Sequence, residues 1–219
     1  MLKKIISNTI ANYLLKAIQL FLNLLAIPIL INNLGEEGFG IILFASIVVG
    51  YFNVLELGIT DGVTKYVSQY IESKEYNKIQ SIINTSLIFF IGIGFLVSLT
   101  LIIWVLSGGV SWLNLDPDLS VSSDKIFLFA SVIALISWPQ LLLKGIFKGI
   151  QDFITLNILI GIGRIISVVS AILAVIYTDW EIEYIFLLFN LDKIILTFIQ
   201  FKILKKKLPF WKFSVFDFN

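Results

Sequence analysis

Long apolar runs divide the chain. Six segments carry enough nearly uninterrupted apolar residues to cross a bilayer: Ile5–Ile31, Gly38–Thr64, Gln80–Ser107, Asp124–Lys148, Ile154–Tyr177 and Glu181–Leu204. A spanning helix needs about 20 such residues. Turn formers separate the runs, at Asn32-Asn33-Leu34-Gly35, Gly108-Gly109, Asp116-Pro117-Asp118 and Thr178-Asp179. The pattern predicts an all-α integral membrane protein, a six-transmembrane-helix bundle forming one domain. Asp61 to Gln80 is longer than a hairpin needs and reads as the second helix leaving the membrane before the chain turns back. Ser111–Asp124, with Trp112 among small polar residues, reads as an interfacial connection.

Polar residues inside the runs change this picture. On the first helix Asn8, Asn12, Lys16, Gln19 and Asn23 recur every three or four residues, which at about 100° per residue confines them to an arc of roughly 80°. Helix two carries Ser46, Asn53, Glu56 and Thr60 in a similar arc, and helix six carries Asn190, Lys193, Thr197 and Gln200. Helix five places Asn157 and Arg164 nearly in line. Helix three is apolar beyond Asn84, Thr85 and Ser86 and reads as lipid-facing scaffold.

Lys16, Arg164 and Lys193 fall near the middle of their spans, where a cation costs about 2.5–3.5 kcal/mol on insertion scales. Each must face a cavity, water or a counter-charge. The polar amides and hydroxyls either line such a cavity or join helices by hydrogen bonds. Glu56 is a counter-charge for Lys16 or Arg164, and Asp192 for Lys193, leaving the cations in excess. The expectation is an enclosed polar chamber suited to an anionic phosphate or pyrophosphate. Its contacts would come from Lys16, Arg164, Lys193, Asn12, Gln19, Asn23, Asn53 and Asn190, with Glu56, Asp192 and Asp61 as coupling-ion or counter-charge candidates. Pro139 inside helix four predicts a kink, serving either as a bending point or only to shape packing. Gly92/Gly94, Gly145/Gly149 and Gly161/Gly163 predict close helix contacts rather than a nucleotide site, since no strand precedes them.

The loop charges orient the bundle. One set holds Lys3, Lys4, Lys65, Lys74, Lys78, Lys144, Lys148, Lys202, Lys205, Lys206, Lys207 and Lys212. The opposite set holds Lys125 beside Glu36, Glu37, Asp116, Asp118, Asp124, Asp179, Glu181 and Glu183. Both termini are therefore expected in the cytoplasm. The run after Lys3 and Lys4 is too long for a signal peptide and reads as a retained span. Composition agrees: 58% of residues are hydrophobic, 14% are charged, and mean hydropathy is +0.96, against 45–50% apolar and about 25% charged in typical soluble domains. The chain has no Cys and no His, which excludes thiolate or imidazole metal sites, Cys nucleophiles and His bases. A net charge of +1 points to no nucleic-acid partner. No cofactor or metal is expected, and transport rather than catalysis.

The run from Ile27 to Tyr70 resembles the polysaccharide-transport family of O-antigen and capsule flippases, within the superfamily that also holds multidrug/toxin exporters and lipid II flippases. The resemblance rests on Pro28 near the end of helix one, LGEEGFG at Leu34–Gly40, LELGITDGVTKY at Leu55–Tyr66 and KGIFKGIQDF at Lys144–Phe153. It implies translocation of undecaprenyl-diphosphate-linked oligosaccharide across the bacterial inner membrane, by alternating access between two six-helix lobes around a cationic cavity. Lys16, Arg164 and Lys193 would fit that cavity by depth. Because such proteins have twelve or more helices, residues 1–208 correspond to one lobe, and 209–219 to the start of a second lobe or a tail. Either the gene is truncated, or the other lobe is a second chain or a second copy. The alternatives are a cation-coupled drug exporter lobe and a half-transporter remnant without activity; a membrane transferase would need a polar catalytic cluster that is missing here.

Overall fold

The computed structural model describes the backbone of residues 2–51, 56 and 58–212, and their side chains from Tyr13 onward except Asp118. Its elements are α1 (Leu2–Tyr51), α2 (Ile59–Glu72), α3 (Tyr76–Leu106), a short 3-10 turn (Gly109–Leu113), α4 (Pro117–Gly149), α5 (Phe153–Tyr177), α6 (Ile182–Phe189) and α7 (Leu191–Lys207). There is no strand among the described residues.

The first two predicted spans form one element bent at Gly35, whose φ of 75° and ψ of 165° suit a residue without Cβ. Neighbours show that the chain reverses there. Leu15, Gln19 and Asn23 lie beside Gly161 and Arg164 of α5 in the same order. After the bend, Phe44 meets Phe127 of α4, and Thr60 and Thr64 meet Gly145 further along it. The two arms of α1 are thus antiparallel. The predicted four-residue break shrinks to one residue.

Among the described residues, four helices are long and apolar enough to span a membrane, counting the bent α1 as one. The sixth pass consists of α6 and α7 end to end, so the expected continuous helix Glu181–Leu204 is in fact two pieces meeting at Asn190. Helix two is likewise interrupted: α2 is a separate helix entered through Gly58, which has φ 77°. Helix four begins at Pro117, seven residues before the expected start. Six passes remain, and they alternate in direction. The turns at residues 73–75 and 150–152 and the Lys205–Lys207 end of α7 share one end of the bundle. Gly35, the 3-10 turn with its exposed Trp112, and residues 178–181 share the other. This is the grouping the loop charges predicted.

Lipid offers hydrocarbon as good as a neighbouring helix, so close packing and buried polar contacts hold such bundles together. α4 is the central helix: Phe127, Ile133, Trp138, Leu142 and Phe147 are all buried. α3 lies against it through Phe90–Trp138 and Trp104–Phe127 ring contacts, at 5.9 and 4.9 Å. α4 runs on through Pro139, which cannot donate to the Leu135 carbonyl one turn back. Gly94 sits against that carbonyl; a Cβ there would stand 3.1 Å from the Leu135 oxygen and 3.2 Å from Trp138 Cβ. Gly145 and Gly149 bring α2 equally close, with Thr60 and Val67 within 2.9 Å of the added carbon. The glycine pairs do serve packing, although Gly92 faces open space. Phe39, within the LGEEGFG run, is buried in the core.

Ionic contacts tie both ends. At the acidic end Lys125 Nζ lies 2.6 Å from Glu183 Oε1 and 3.0 Å from Glu181 Oε2, joining α4 to α6. At the Lys-rich end Lys207 Nζ lies 2.8 Å from Asp152 Oδ2, and Asp152 also caps α5 by accepting from Thr155 N. Burial alone would raise the Asp152 pKa, but Lys207 and the Thr155 bonds outweigh it and hold the carboxyl below its ordinary range. After α7 the chain packs back on α3: Trp211 Nε1 donates to Asn84 Oδ1, and Asn84 Nδ2 donates to the Lys212 carbonyl, both at 3.0 Å. Residues 209–212, expected as the start of a second lobe or a tail, pack against the six-pass unit; residues 213–219 lie outside the described part.

Candidate functional site

The interruption at Asn190 organises the interior. In a continuous helix the Phe189 carbonyl would accept from Lys193 N and the Leu188 carbonyl from Asp192 N. Here Lys193 N turns to the Asn190 carbonyl instead, at 3.1 Å, and Asp192 N leaves the helix ladder. A freed backbone group in hydrocarbon is costly unless a neighbour satisfies it. Both partners come from α5. Arg164 Nη1 donates to the Phe189 carbonyl at 2.8 Å, and Asp192 N donates to Ser167 Oγ at 2.7 Å. Arg164 and Ser167 are three residues apart, hence neighbours on one face of α5.

Arg164 reaches further. Its Nη2 donates to Asn23 Oδ1 at 3.2 Å, and its guanidinium lies 4.2 Å from the centre of the Phe189 ring. Asn23 is steadied by its own bond to the Gln19 carbonyl at 2.8 Å. Gly161, one turn from Arg164, permits this approach, since a Cβ there would stand 3.1 Å from Gln19 Nε2. Arg164 thus joins the first pass, α5 and the α6–α7 junction. Asn190, 2% exposed, donates to the Phe186 carbonyl at 3.0 Å and accepts from Lys193 Nζ at 2.9 Å. Gln140 of α4, beside Pro139, reaches the Lys193 carbonyl at 3.5 Å.

The charges form one group. Asp192, in the first turn of α7, acts electrostatically on Arg164, Lys193 and Lys144. Lys144 also feels Lys148 as a like charge and, more weakly, Glu56, and Lys193 feels Arg164 and Lys144 as like charges. Among the described residues, three cations therefore share Asp192, and Glu56 reaches Lys144. Asp192 Oδ1 is buried without a hydrogen-bond partner. Beside this group, between α5 and α7, lies an apolar pocket of about 140 Å³; Ile162, Ile166, Ile195 and Ile199 form its walls, and Ser167 and Asp192 mark its edge at the break.

Among protein-family models, the one described as polysaccharide biosynthesis protein matches residues 2–218. The chain belongs to the polysaccharide biosynthesis protein family. Comparison with curated proteins and with solved structures gives no match. Lys144 and Arg164 of this group thus lie on spanning helices of a membrane protein of polysaccharide biosynthesis.

Of the predicted site residues in this family member, the structure brings Arg164, Lys193, Asn190, Asn23 and Asp192 together, with Gln19 one turn away and Glu56 within electrostatic reach. Lys16 stands apart, exposed on the first arm of α1 beside Tyr13, Leu14 and Ile18. Asp61 is exposed in the first turn of α2. Asn53 and the Asn12 side chain lie outside the described residues. Lys144 was grouped with the Lys-rich loop, yet it belongs to the interior group. Its spacing of four from Gln140, on the same helix face, was the available signal. Ser167 gave none beyond its distance of three from Arg164.

Proposed function

We infer that this chain is a lobe of a flippase that carries undecaprenyl-diphosphate-linked oligosaccharide across the inner membrane, with both termini cytoplasmic, and that it is a transporter rather than an enzyme. The observation that carries the reading is the excess of cations in the interior: among the described residues, Lys144, Arg164 and Lys193 share Asp192, and Glu56 reaches Lys144. An uncompensated cation at this depth is unfavourable, and a diphosphate would supply the missing charge through charge-assisted hydrogen bonds. The pocket between α5 and α7 offers an apolar surface next to that charge, so the two halves of a prenyl diphosphate find matching chemistry side by side. Exposed Lys16 fits the same account where a second lobe or a second copy faces the first arm of α1 and shares the chamber. A cation-exporting site would require the opposite charge balance.

The test is complementation of a strain lacking its own oligosaccharide flippase. The chain should restore surface glycan, and Arg164→Ala with Lys193→Ala should lower it at least tenfold at equal membrane abundance. No restoration, or restoration untouched by both substitutions, overturns the reading.

A further inference from the structure

Arg164 has two competing uses. Its Nη1 satisfies the Phe189 carbonyl that the Asn190 break releases, and it is also the interior cation with the planar donor fork suited to a phosphate. One guanidinium edge cannot serve both at full strength. A carbonyl is a neutral acceptor, whereas a phosphate oxygen carries charge and pairs bidentately with Arg. An anion reaching this depth draws Arg164 away from Phe189.

We propose that the α6–α7 junction is a hinge splinted by Arg164 and Ser167 of α5, and that a phosphate group arriving in the chamber unlocks it by taking Arg164 from the Phe189 carbonyl. This rests on the diphosphate reading above and adds what the bound headgroup does to the fold. The geometry has the parts a hinge needs. Two side-chain bonds from α5, at 2.8 and 2.7 Å, replace the lost helix-ladder bonds at the junction, beside the local Asn190–Phe186 and Lys193–Asn190 bonds. α6 is a helix of only 8 residues that meets α7 at Asn190. Its far end is clamped to α4 through the Lys125 pair with Glu181 and Glu183, so release at Asn190 lets α6 pivot rather than detach. Ser167 is a positioning residue: it carries no charge and acts through the Asp192 amide.

The chain has no Cys, so Tyr184→Cys on α6 and Phe198→Cys on α7, which are 46% and 63% exposed, provide a clean spin-label pair ~21 Å apart along the helix. The full chain in phosphatidylcholine nanodiscs is measured by pulsed electron resonance, alone, with farnesyl diphosphate and with farnesol. Bound ligand is counted in parallel with radiolabelled compound. Farnesyl diphosphate should broaden or shift the distance distribution, and farnesol should not. Arg164→Ala should show the altered distribution without ligand and respond no further. Ser167→Ala, a conservative change that leaves the cations intact, should show a partial alteration and still respond. Binding of farnesyl diphosphate with an unchanged distribution overturns the hinge while leaving the diphosphate reading standing. Absence of binding overturns both. Unchanged distributions in the Ser167→Ala and Arg164→Ala proteins without ligand overturn the splint.

Discussion

Replacing Asn84 with Ala should free the segment that follows α7. Asn84 is 1% exposed and Trp211 3% exposed, and the amide holds two groups 127 and 128 residues away in sequence, Trp211 Nε1 and the Lys212 carbonyl. The substitution leaves the Trp211 N–H buried without an acceptor, which costs about 1–3 kcal/mol. The Lys212 carbonyl sits in an exposed residue and turns to water, so it adds little. A net loss of about 2 kcal/mol, at 1.4 kcal/mol per factor of ten, raises the population with residues 208–212 undocked about 30-fold. Limited trypsin digestion in detergent reads this directly at the Lys207–Leu208 bond, because Leu208 is buried in the docked form and cleavage tracks the open population when reclosing is fast. Trp211→Phe keeps the ring beside Phe201, 5.4 Å away, and loses only the donor, so about a fivefold increase is expected from a loss of about 1 kcal/mol. Cleavage of the Asn84→Ala protein at the wild-type rate would refute the reasoning.

Gly94→Ala should lower thermal stability by about 1–3 kcal/mol, because the new methyl meets the Leu135 carbonyl and Trp138, neither of which is a flexible side-chain end; a melting temperature equal to wild type would contradict this. Asp152 has a depressed pKa in the folded protein, so its contribution is present above the unfolded value of about 3.9 and is lost as pH falls through the folded value. The stability difference between wild type and Asp152→Asn, followed by circular dichroism melting, should therefore be largest near neutral pH, begin to shrink near pH 4 and vanish only in stronger acid, below the lowered folded value. A difference constant across that range would remove Lys207 and Thr155 as the cause.

The passes were legible in the chain and the site only in part. Apolar run length and the lysine bias of the loops depend on local composition, and both carried through to the arrangement of the two ends. The Asn190 break did not show, because the run from Ile185 to Ile199 holds neither Gly nor Pro, and its cause lies on α5, where Arg164 and Ser167 supply the missing bonds. Lys144 was misplaced for a related reason. A lysine near a span end ordinarily reaches for the interface, and only the neighbouring Asp192 and Glu56 on other elements turn it into an interior charge. Helix three concealed Asn84, whose partners come from the opposite end of the sequence. Lys16 shows the reverse: its periodic stripe is real, yet the stripe turns Asn23 toward Arg164 while leaving Lys16 exposed.

Native mass spectrometry of the intact chain, released from neutral detergent with undecaprenyl diphosphate or undecaprenol, tests the interior cation group most directly. Each charge-assisted hydrogen bond contributes about 1.5–3 kcal/mol, so the diphosphate should be retained at least tenfold more strongly than the alcohol. That preference should collapse when Lys144, Arg164 and Lys193 are replaced together by uncharged residues. Equal retention of the two lipids, or a preference that survives the triple replacement, would contradict the account.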